Sequence, residues 1–290
     1  MSDIMKSIPF GQLMEWILEE HKKTGQIFGI QKAYVADPAK TVEIFGRKLE
    51  NPVGPAAGPH TQLAQNLVAA YYAGARFFEL KTVQKMDEAY NCEWSTELYV
   101  PQAMGEYIKG WMILHVIAKE FGLGSPDGFQ FNMSCGYNLE GIQDKKIDDF
   151  IEGLKDARDT EVFKECKTWL LDHIDLFEHV TKEDIEAIPS EICNSITLST
   201  MHGCPPQEIE NIVTYLLKEK HIHTYVKCNP TLLGYEFVRK AMDDLGYDYM
   251  AFTDFHFKDD LQYEDAVPML KRLMDVAAQE GLSFGVKLTN

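Results

Sequence analysis

Two lysines follow apolar runs that are typical of buried strands. Lys81 comes directly after residues 77–80, and Lys227 comes directly after residues 224–226. A partly buried ammonium group needs a negatively charged partner. That partner is either a carboxylate such as Glu79 or a ligand, for example the carbonyl edge of a flavin ring that becomes negative on reduction. Because the strand ends of a parallel barrel meet at one face, we expect both lysines to serve the same site.

A cysteine on a predicted loop is the candidate proton donor. Cys204 follows a glycine and precedes two prolines, shortly after a predicted strand. A thiol in this position can act as a general acid toward a substrate carbon, although a lone cysteine is more often an inert packing residue. Cys135 is an alternative donor at the end of another predicted strand, whereas Cys228 is expected to face the core. His202 is expected to tune Cys204 or to bind substrate, unless it is a solvated loop residue.

Small residues and amide side chains complete the set of candidates. The segment Asn51–Pro59, which includes Ala57 and Gly58, consists mainly of glycine, alanine and proline. A flat ring can lie against such a backbone, and backbone amides can then bond its heteroatoms; a stiff turn is an equal alternative. Asn138 and Asn290 end predicted strands, where each amide could donate and accept hydrogen bonds toward a planar ring or stabilise a turn.

Alternating predicted strands and helices indicate an α/β fold of the (β/α)8 TIM-barrel type. An N-terminal helix and a hairpin within residues 41–51 come first, and a helical insertion is expected at about residues 146–188. The sequence predicts a single barrel domain over residues 1–290, in which the last strands of a complete barrel are lacking. The predicted strands are 53–57, 77–80, 129–134, 196–200, 224–226, 249–252 and 283–290, and the main predicted helices are 61–73, 104–121 and 207–220.

Composition excludes several classes of function. The net charge of −17 argues against nucleic acid or an anionic membrane as the main partner. No apolar run approaches the roughly 20 residues that cross a membrane, and the N-terminus lacks the apolar centre of a secretory signal. The 6 cysteines include no Cys-x-x-Cys pair, so no metal site is predicted on this chain and free thiols in a reducing cytoplasm are expected. No Gly-x-Gly-x-x-Gly motif follows a predicted strand, so a Rossmann dinucleotide site is not indicated.

Several of these segments resemble motifs of the dihydroorotate dehydrogenase and dihydropyrimidine dehydrogenase superfamily of flavin barrels. One departure concerns the family's Cys-Pro motif, because Ser199-Thr200-Met201 replaces the Asn-Leu-Ser pattern that precedes it in the family. The matching segments are Asn51–Gly58, Glu79–Thr82, Asn91–Glu93, Cys135–Asn138, Cys204-Pro205, Val226–Pro230 and Leu288–Asn290.

A closer resemblance extends over the whole chain. Residues 54–66, 93–97 and 284–290 are similar to the N-terminal part of the selenate reductase flavoprotein family. Members of that family are much longer. They continue through the last barrel strands into a region like the glutamate synthase small subunit, with FAD, a pyridine-nucleotide site and iron–sulfur centres. The resemblance therefore implies a flavin redox module more firmly than it implies any substrate.

The resemblance implies an FMN-dependent oxidoreductase that passes electrons from NAD(P)H through FMN to an unsaturated, heterocyclic small molecule. Cys204 would protonate the substrate, while FAD and iron–sulfur clusters are expected only on the remaining region or on a redox partner subunit. The implied FMN contacts are Ala57, Gly58, Lys81, Thr82, Asn138, Lys227 and Asn290, and the implied substrate contacts are Asn91, His202 and Thr289.

Two other functions stay open at this point. The chain could be a non-catalytic barrel remnant or assembly subunit that binds no flavin alone, since open sheet edges tend to find a partner, and it would then form a complex or an oligomer. The superfamily holds the FMN phosphate on backbone after its last two strands, which are not found in the predicted pattern. A barrel lyase that forms a Schiff base on Lys81 or Lys227 is the third alternative.

Overall fold

The computed structural model describes residues 5–83, 98–199 and 203–288 of the chain. Within these residues the strands are β1 (Val42–Ile44), β2 (Arg47–Leu49), β3 (Phe77–Glu79), β4 (Gln130–Cys135), β5 (Cys193–Leu198), β6 (His223–Cys228) and β7 (Phe284–Leu288). The helices are α1 (Phe10–Thr24), α2 (Ala64–Ala73), α3 (Val100–Glu120), α4 (Leu139–Ile142), α5 (Lys145–Lys155), α6 (Glu161–Asp172), α7 (Lys182–Ala187), α8 (Pro206–Lys218), α9 (Tyr235–Asp244), α10 (Phe255–Asp259) and α11 (Tyr263–Gln279).

The chain folds as two compact units. The first unit comprises Met1–Ser134 and Asp144–Asn194, and the second comprises Cys135–Gln143 and Ser195–Asn290. Each unit contains parallel strands joined by helices, as the alternation in the sequence predicts. The prediction of one domain over the whole chain stays a prediction.

The first unit begins with α1 and the predicted hairpin. Strands β1 and β2 pair in antiparallel fashion, and the two residues between them, Phe45 and Gly46, both have positive φ angles of 52° and 74°. Two consecutive residues of this kind form the type I′ turn that matches the twist of a two-residue hairpin. Farther along the chain, β3 pairs in parallel with β4, with Phe77 opposite Gln130.

Helix α3 forms the centre of the first unit, and most of its residues are buried. Helices α2, α5 and α6 pack against it. The spacing of Ile147, Phe150, Ile151 and Leu154 places all four side chains on the buried face of α5. Asp144 caps that helix by accepting a hydrogen bond from the N–H of Lys146 at 3.1 Å. The predicted helical segment of about 146–188 thus contains α5, α6 and α7.

The second unit contains β5, β6 and β7, which pair in parallel in chain order. In β6 alternate residues are buried, so that Thr224, Val226 and Cys228 lie on one face and Tyr225 and Lys227 on the other. The predicted helix 207–220 is found as α8, and the residues of its buried face are Ile209, Ile212, Val213, Leu216 and Leu217.

Two predicted strands are wrong. Residues 249–252 form no strand, and Tyr249 is 76% exposed, because no neighbouring strand among the described residues pairs with them. Residues 53–57 also form no strand, although Arg76 and Glu79 donate backbone hydrogen bonds to Val53 and Pro55. Pro55 has no N–H with which to continue a ladder, so this segment runs beside β3 without forming a regular strand.

Candidate functional site

The glycine-rich segment of the first unit lies very close to β3. The N–H of Arg76 donates to the carbonyl of Val53 at 2.9 Å, and that of Glu79 donates to the carbonyl of Pro55 at 3.1 Å. A Cβ atom on Gly54 would come within 1.4 Å of the Phe77 carbonyl oxygen. Only glycine permits this approach, so Gly54 determines how closely the candidate ring-binding loop packs against the strand that ends at Lys81.

Ala57 and Gly58 occupy the end of this loop, where their backbone amides are engaged within the protein. The N–H of Ala57 donates to Glu79 Oε2 at 3.0 Å, and the N–H of Gly58 donates to Thr61 Oγ1 at 3.2 Å. These amides are therefore committed to shaping the loop. Gly58 is buried and Ala57 is partly buried, so of the two residues only Ala57 presents a small side chain to a planar ligand.

Lys81 and Thr82 follow β3, as predicted. The hydroxyl of Tyr107 in α3 donates to the carbonyl of Lys81 at 2.7 Å, and Thr82 shares a hydrogen bond of 2.8 Å with Ser134 at the end of β4. Both residues are partly buried. The strand end is thus anchored from a helix and from the adjacent strand, which leaves the Lys81 side chain on a fixed backbone.

The second unit places Lys227 beside a second lysine. Lys227 in β6 is register-paired with Lys287 in β7, and neighbouring strands lie about 4.8 Å apart. Lys227 is partly buried, and within the described ranges its ammonium group has no hydrogen bond or ion pair. Like charges directly opposite each other on a sheet are unfavourable. The Lys227 ammonium group is therefore available to an anionic ligand.

Lys287 was not singled out in the sequence analysis. The signal that identifies it is a repeated sequence pattern, since Val226-Lys227 and Val286-Lys287 both precede an asparagine by two or three residues. On the same face, a Cβ atom on Gly285 would lie 2.5 Å from the ring of Tyr225. Gly285 therefore makes room for that ring next to the lysines.

Cys204 lies on the loop between β5 and α8 and is partly buried. Burial raises the pKa of its thiol above the usual range, and the nearby Glu208 carboxylate adds to that rise. The thiol consequently keeps its proton at neutral pH, as a general acid must. Burial also raises the pKa of Cys135 to about 12, but Cys135 and Cys228 are only 4% and 3% exposed. Of the two candidate donors, Cys204 is the accessible thiol, and Cys228 is buried as expected.

Asn138 acts as a helix cap, which is the alternative role considered for it from sequence. Its Oδ1 accepts a hydrogen bond from the N–H of Gly141 at 3.0 Å, at the start of the short helix α4. Glu208, in the first turn of α8, accepts from the N–H of Leu139 at 2.9 Å. Glu208 thus connects the loop that carries Asn138 with the helix that follows Cys204.

Four predicted site residues, Asn91, His202, Thr289 and Asn290, lie outside the described residues. Within the described part of the chain, no group of three or more His, Cys, Asp or Glu side chains could hold a metal ion. The same part of the chain contains no helix with the length and apolar character needed to cross a membrane.

Parallel strands joined by helices, with polar groups at the strand ends, are the arrangement found in domains of the TIM-barrel type. A family model described as "Oxidoreductase YgfK, N-terminal TIM-barrel domain" matches residues 28–290. The chain belongs to this family, and the predicted fold class is confirmed.

Two curated relatives are similar over the whole chain. The Escherichia coli K12 protein called "Putative oxidoreductase YgfK" is 44% identical over an alignment of 317 residues. A protein of the same name from Escherichia coli O157:H7 is equally similar. The alignment covers 100% of this chain but only 31% of each relative, so the chain spans about a third of their length.

Proposed function

We propose that this chain is the FMN-binding part of a multicentre oxidoreductase of the dihydroorotate and dihydropyrimidine dehydrogenase type. The observation that carries the proposal is the Lys227–Lys287 register pair, in which the Lys227 ammonium group has no partner among the described residues. An anionic ligand bound beside Lys227 would give this ammonium group a partner. The carbonyl edge of a flavin ring, which becomes negative on reduction, suits this environment.

The residues present fit a flavin in two respects. In the second unit, Lys227 supplies a partly buried cation with unused hydrogen-bond donors. In the first unit, considered by itself, Ala57 supplies a small, partly buried residue at the end of a fixed loop. Bound FMN would supply hydride-transfer chemistry that no side chain can provide. Lys81, Thr82 and Asn138 are proposed as further ring contacts, and Asn290 stays a prediction outside the described residues.

Cys204 is the proposed proton donor. Its raised pKa keeps the thiol protonated at neutral pH, and its partial exposure makes the proton accessible to a substrate. After the proton leaves, Cys204 would be a thiolate that has to be reprotonated from solvent. Asn91, His202 and Thr289 stay the predicted substrate contacts.

The proposed substrate is an unsaturated, heterocyclic small molecule, and the proposed source of electrons is NAD(P)H. FAD and iron–sulfur clusters are proposed for the part of the longer relatives that this chain does not span, or for a redox partner subunit. A role like that of the selenate reductase flavoproteins, a cytoplasmic location and the absence of nucleic-acid and membrane partners are parts of the same proposal.

The first test measures the visible absorption spectrum of the purified chain during titration with FMN. We expect a bound, yellow flavin, and we expect Lys227→Met to weaken FMN binding at least about tenfold because one favourable charge interaction is lost. Lys240→Met is the matched control, because Lys240 is an exposed lysine of the same unit that pairs with Asp244. The proposal would be contradicted if the wild-type protein does not bind FMN, or if the Lys227→Met variant binds FMN as tightly as the wild type.

A second candidate function, a non-catalytic assembly subunit, is favoured by exposed apolar side chains in the second unit. Leu245 and Leu288 are 70% and 75% exposed, and helix α9 has no buried residue. Such surface is typical of a region that another chain covers. This function predicts an oligomer or complex by analytical ultracentrifugation together with no FMN binding. FMN binding by a monomer would exclude it.

A further inference from the structure

A buried carboxylate connects two loops that follow strands of the second unit. Asp260 is 5% exposed, and its Oδ1 accepts a hydrogen bond from the backbone N–H of Gly203 at 3.1 Å. Its Oδ2 accepts from the hydroxyl of Thr231 at 2.6 Å and from Asn229 Nδ2 at 3.4 Å. Gly203 belongs to the loop after β5, whereas Asn229 and Thr231 belong to the loop after β6. Three hydrogen-bond donors thus contact the carboxylate of Asp260, which can only accept hydrogen bonds.

The backbone that carries this carboxylate is itself held in place. The N–H of Asp260 donates to the carbonyl of His256 at 3.1 Å, at the end of α10. Gln262, which directly precedes α11, donates through Nε2 to the carbonyl of Asp260 at 2.5 Å and to that of Phe257 at 2.8 Å. Asp260 is therefore a stiff support and not a mobile surface acid.

The segment next to Cys204 has little conformational freedom of its own. Gly203 has a φ angle of +78°, a value that residues other than glycine rarely adopt. Pro205 restricts the backbone of Cys204 to extended conformations, and Pro206 is the first residue of α8. The helix thus holds the loop on its C-terminal side. On its N-terminal side, the hydrogen bond to Asp260 fixes the residue directly before Cys204.

We infer that Asp260 is a positioning residue that holds the Cys204 thiol in place through the Gly203 amide and couples it to the loop that follows Lys227. The inference rests on the proposed function only in giving Cys204 a catalytic purpose. A group that transfers a proton has to be placed precisely, and a displacement of about 1 Å can lower a rate about 100-fold. Three hydrogen bonds to a charged acceptor offset the cost of burying it, which explains a carboxylate at this position.

The test measures the rate at which iodoacetamide alkylates Cys204 in the full chain between pH 6 and 10, with the modified peptide identified by mass spectrometry. The other described cysteines, Cys135, Cys166, Cys193 and Cys228, are buried, which favours selective reaction. Asp260→Asn replaces one acceptor oxygen with an NH2 group that faces donors. The released thiol should become more exposed, and its pKa should fall toward the usual range. Greater exposure improves access for iodoacetamide and a lower pKa raises the thiolate fraction, so we expect alkylation at pH 8 to become about tenfold faster.

Two further comparisons separate positioning from general destabilisation. Asp259→Asn makes the same charge change at an exposed neighbour and should leave the alkylation profile unchanged. Thr231→Val removes one donor to Asp260, whereas Thr231→Ser keeps it. The valine variant should therefore shift the profile in the same direction as Asp260→Asn, and the serine variant should restore it. If Asp260→Asn does not fold, the comparison of Thr231→Val with Thr231→Ser still tests the inference.

The inference is overturned if Asp260→Asn and Thr231→Val both react like the wild-type protein at every pH. It is also overturned if Asp259→Asn shows the same acceleration as Asp260→Asn. The proposed acid role fails on a different result, namely normal turnover by Cys204→Ser. Alkylation measures where the thiol lies and turnover measures what it does, so the two failures can be distinguished.

Discussion

The buried ion pair between Glu50 and Arg76 offers the sharpest test of how the first unit positions its strand ends. Arg76 is fully buried and Glu50 is 8% exposed. Arg76 Nε donates to Glu50 Oε2 at 2.9 Å, and the N–H of Ser125 donates to Glu50 Oε1 at 2.5 Å. Since β3 begins at the residue after Arg76, the pair holds the start of the strand that leads to Lys81.

Glu50→Gln preserves the shape of the side chain but removes its charge. One donor then faces the new NH2 group, and the guanidinium stays buried without its counter-charge. Breaking a buried pair from one side costs about 3–5 kcal/mol. The remaining guanidinium contacts, to the carbonyls of Tyr71, Ala75 and Leu123, are dipoles and cannot replace a full charge. We therefore expect the free energy of unfolding of the first unit to fall by about 3–5 kcal/mol.

Urea unfolding followed by tryptophan fluorescence measures this loss selectively. All 4 tryptophans of the chain lie within the sequence ranges of the first unit. The matched control is Glu191→Gln, which breaks the exposed ion pair with Arg47. An exposed pair contributes about 0–1 kcal/mol, so the control should unfold almost as the wild type does. Equal, small losses in the two variants would refute the reasoning that burial makes the Glu50–Arg76 pair important.

Three more predictions concern single residues. Gly54→Ala should lower the free energy of unfolding by at least about 2 kcal/mol because the new methyl group collides with the Phe77 carbonyl. The control is Gly105→Ala inside α3, where the nearest neighbour of the new methyl group lies at 3.5 Å, and it should be neutral or stabilising by up to about 1 kcal/mol. Equal effects of the two substitutions in urea unfolding would contradict this prediction. Burial lowers the pKa of His115 to about 4, so the contribution of the neutral His115 to the free energy of unfolding is complete above pH 6.5. That free energy should decline by about 3 kcal/mol as the pH falls toward 4. An identical pH dependence of unfolding in His115→Gln would show that His115 does not cause the decline. Cys204→Ser should keep bound flavin but slow turnover about 10²- to 10⁴-fold, and unchanged turnover would remove Cys204 from the mechanism.

Local patterns in the sequence predict much of the fold correctly. The predicted helix 207–220 is found as α8, and its apolar spacing depends only on neighbouring residues. The hairpin follows from a glycine between two β-prone runs. Strands β3, β6 and β7 are likewise found where apolar runs end in polar residues. Each of these features spans at most one turn or one element, so interactions between residues that are close in sequence are sufficient to predict it.

The two strand predictions failed for different reasons. The run Tyr249–Phe252 has strand-forming residues but no partner strand among the described residues, and a strand forms only when a neighbour completes its hydrogen bonds. Val53–Ala57 has a neighbour, but Pro55 cannot donate to it. The role of Asn138 depended on whether a helix began directly after it, and the structure shows that it caps α4.

The sequence by itself determined the class of fold, the amphipathic helices and the placement of Lys81, Lys227 and Cys204 at or near strand ends, because these depend on periodicity and neighbouring residues. Only the tertiary structure decided which polar groups are buried and what they contact. Asp260 reaches Gly203 across 57 positions of the chain, and the raised pKa of Cys204 follows from its burial. Burial and long-range pairing arise only when distant segments pack together, so no local pattern in the sequence can specify them.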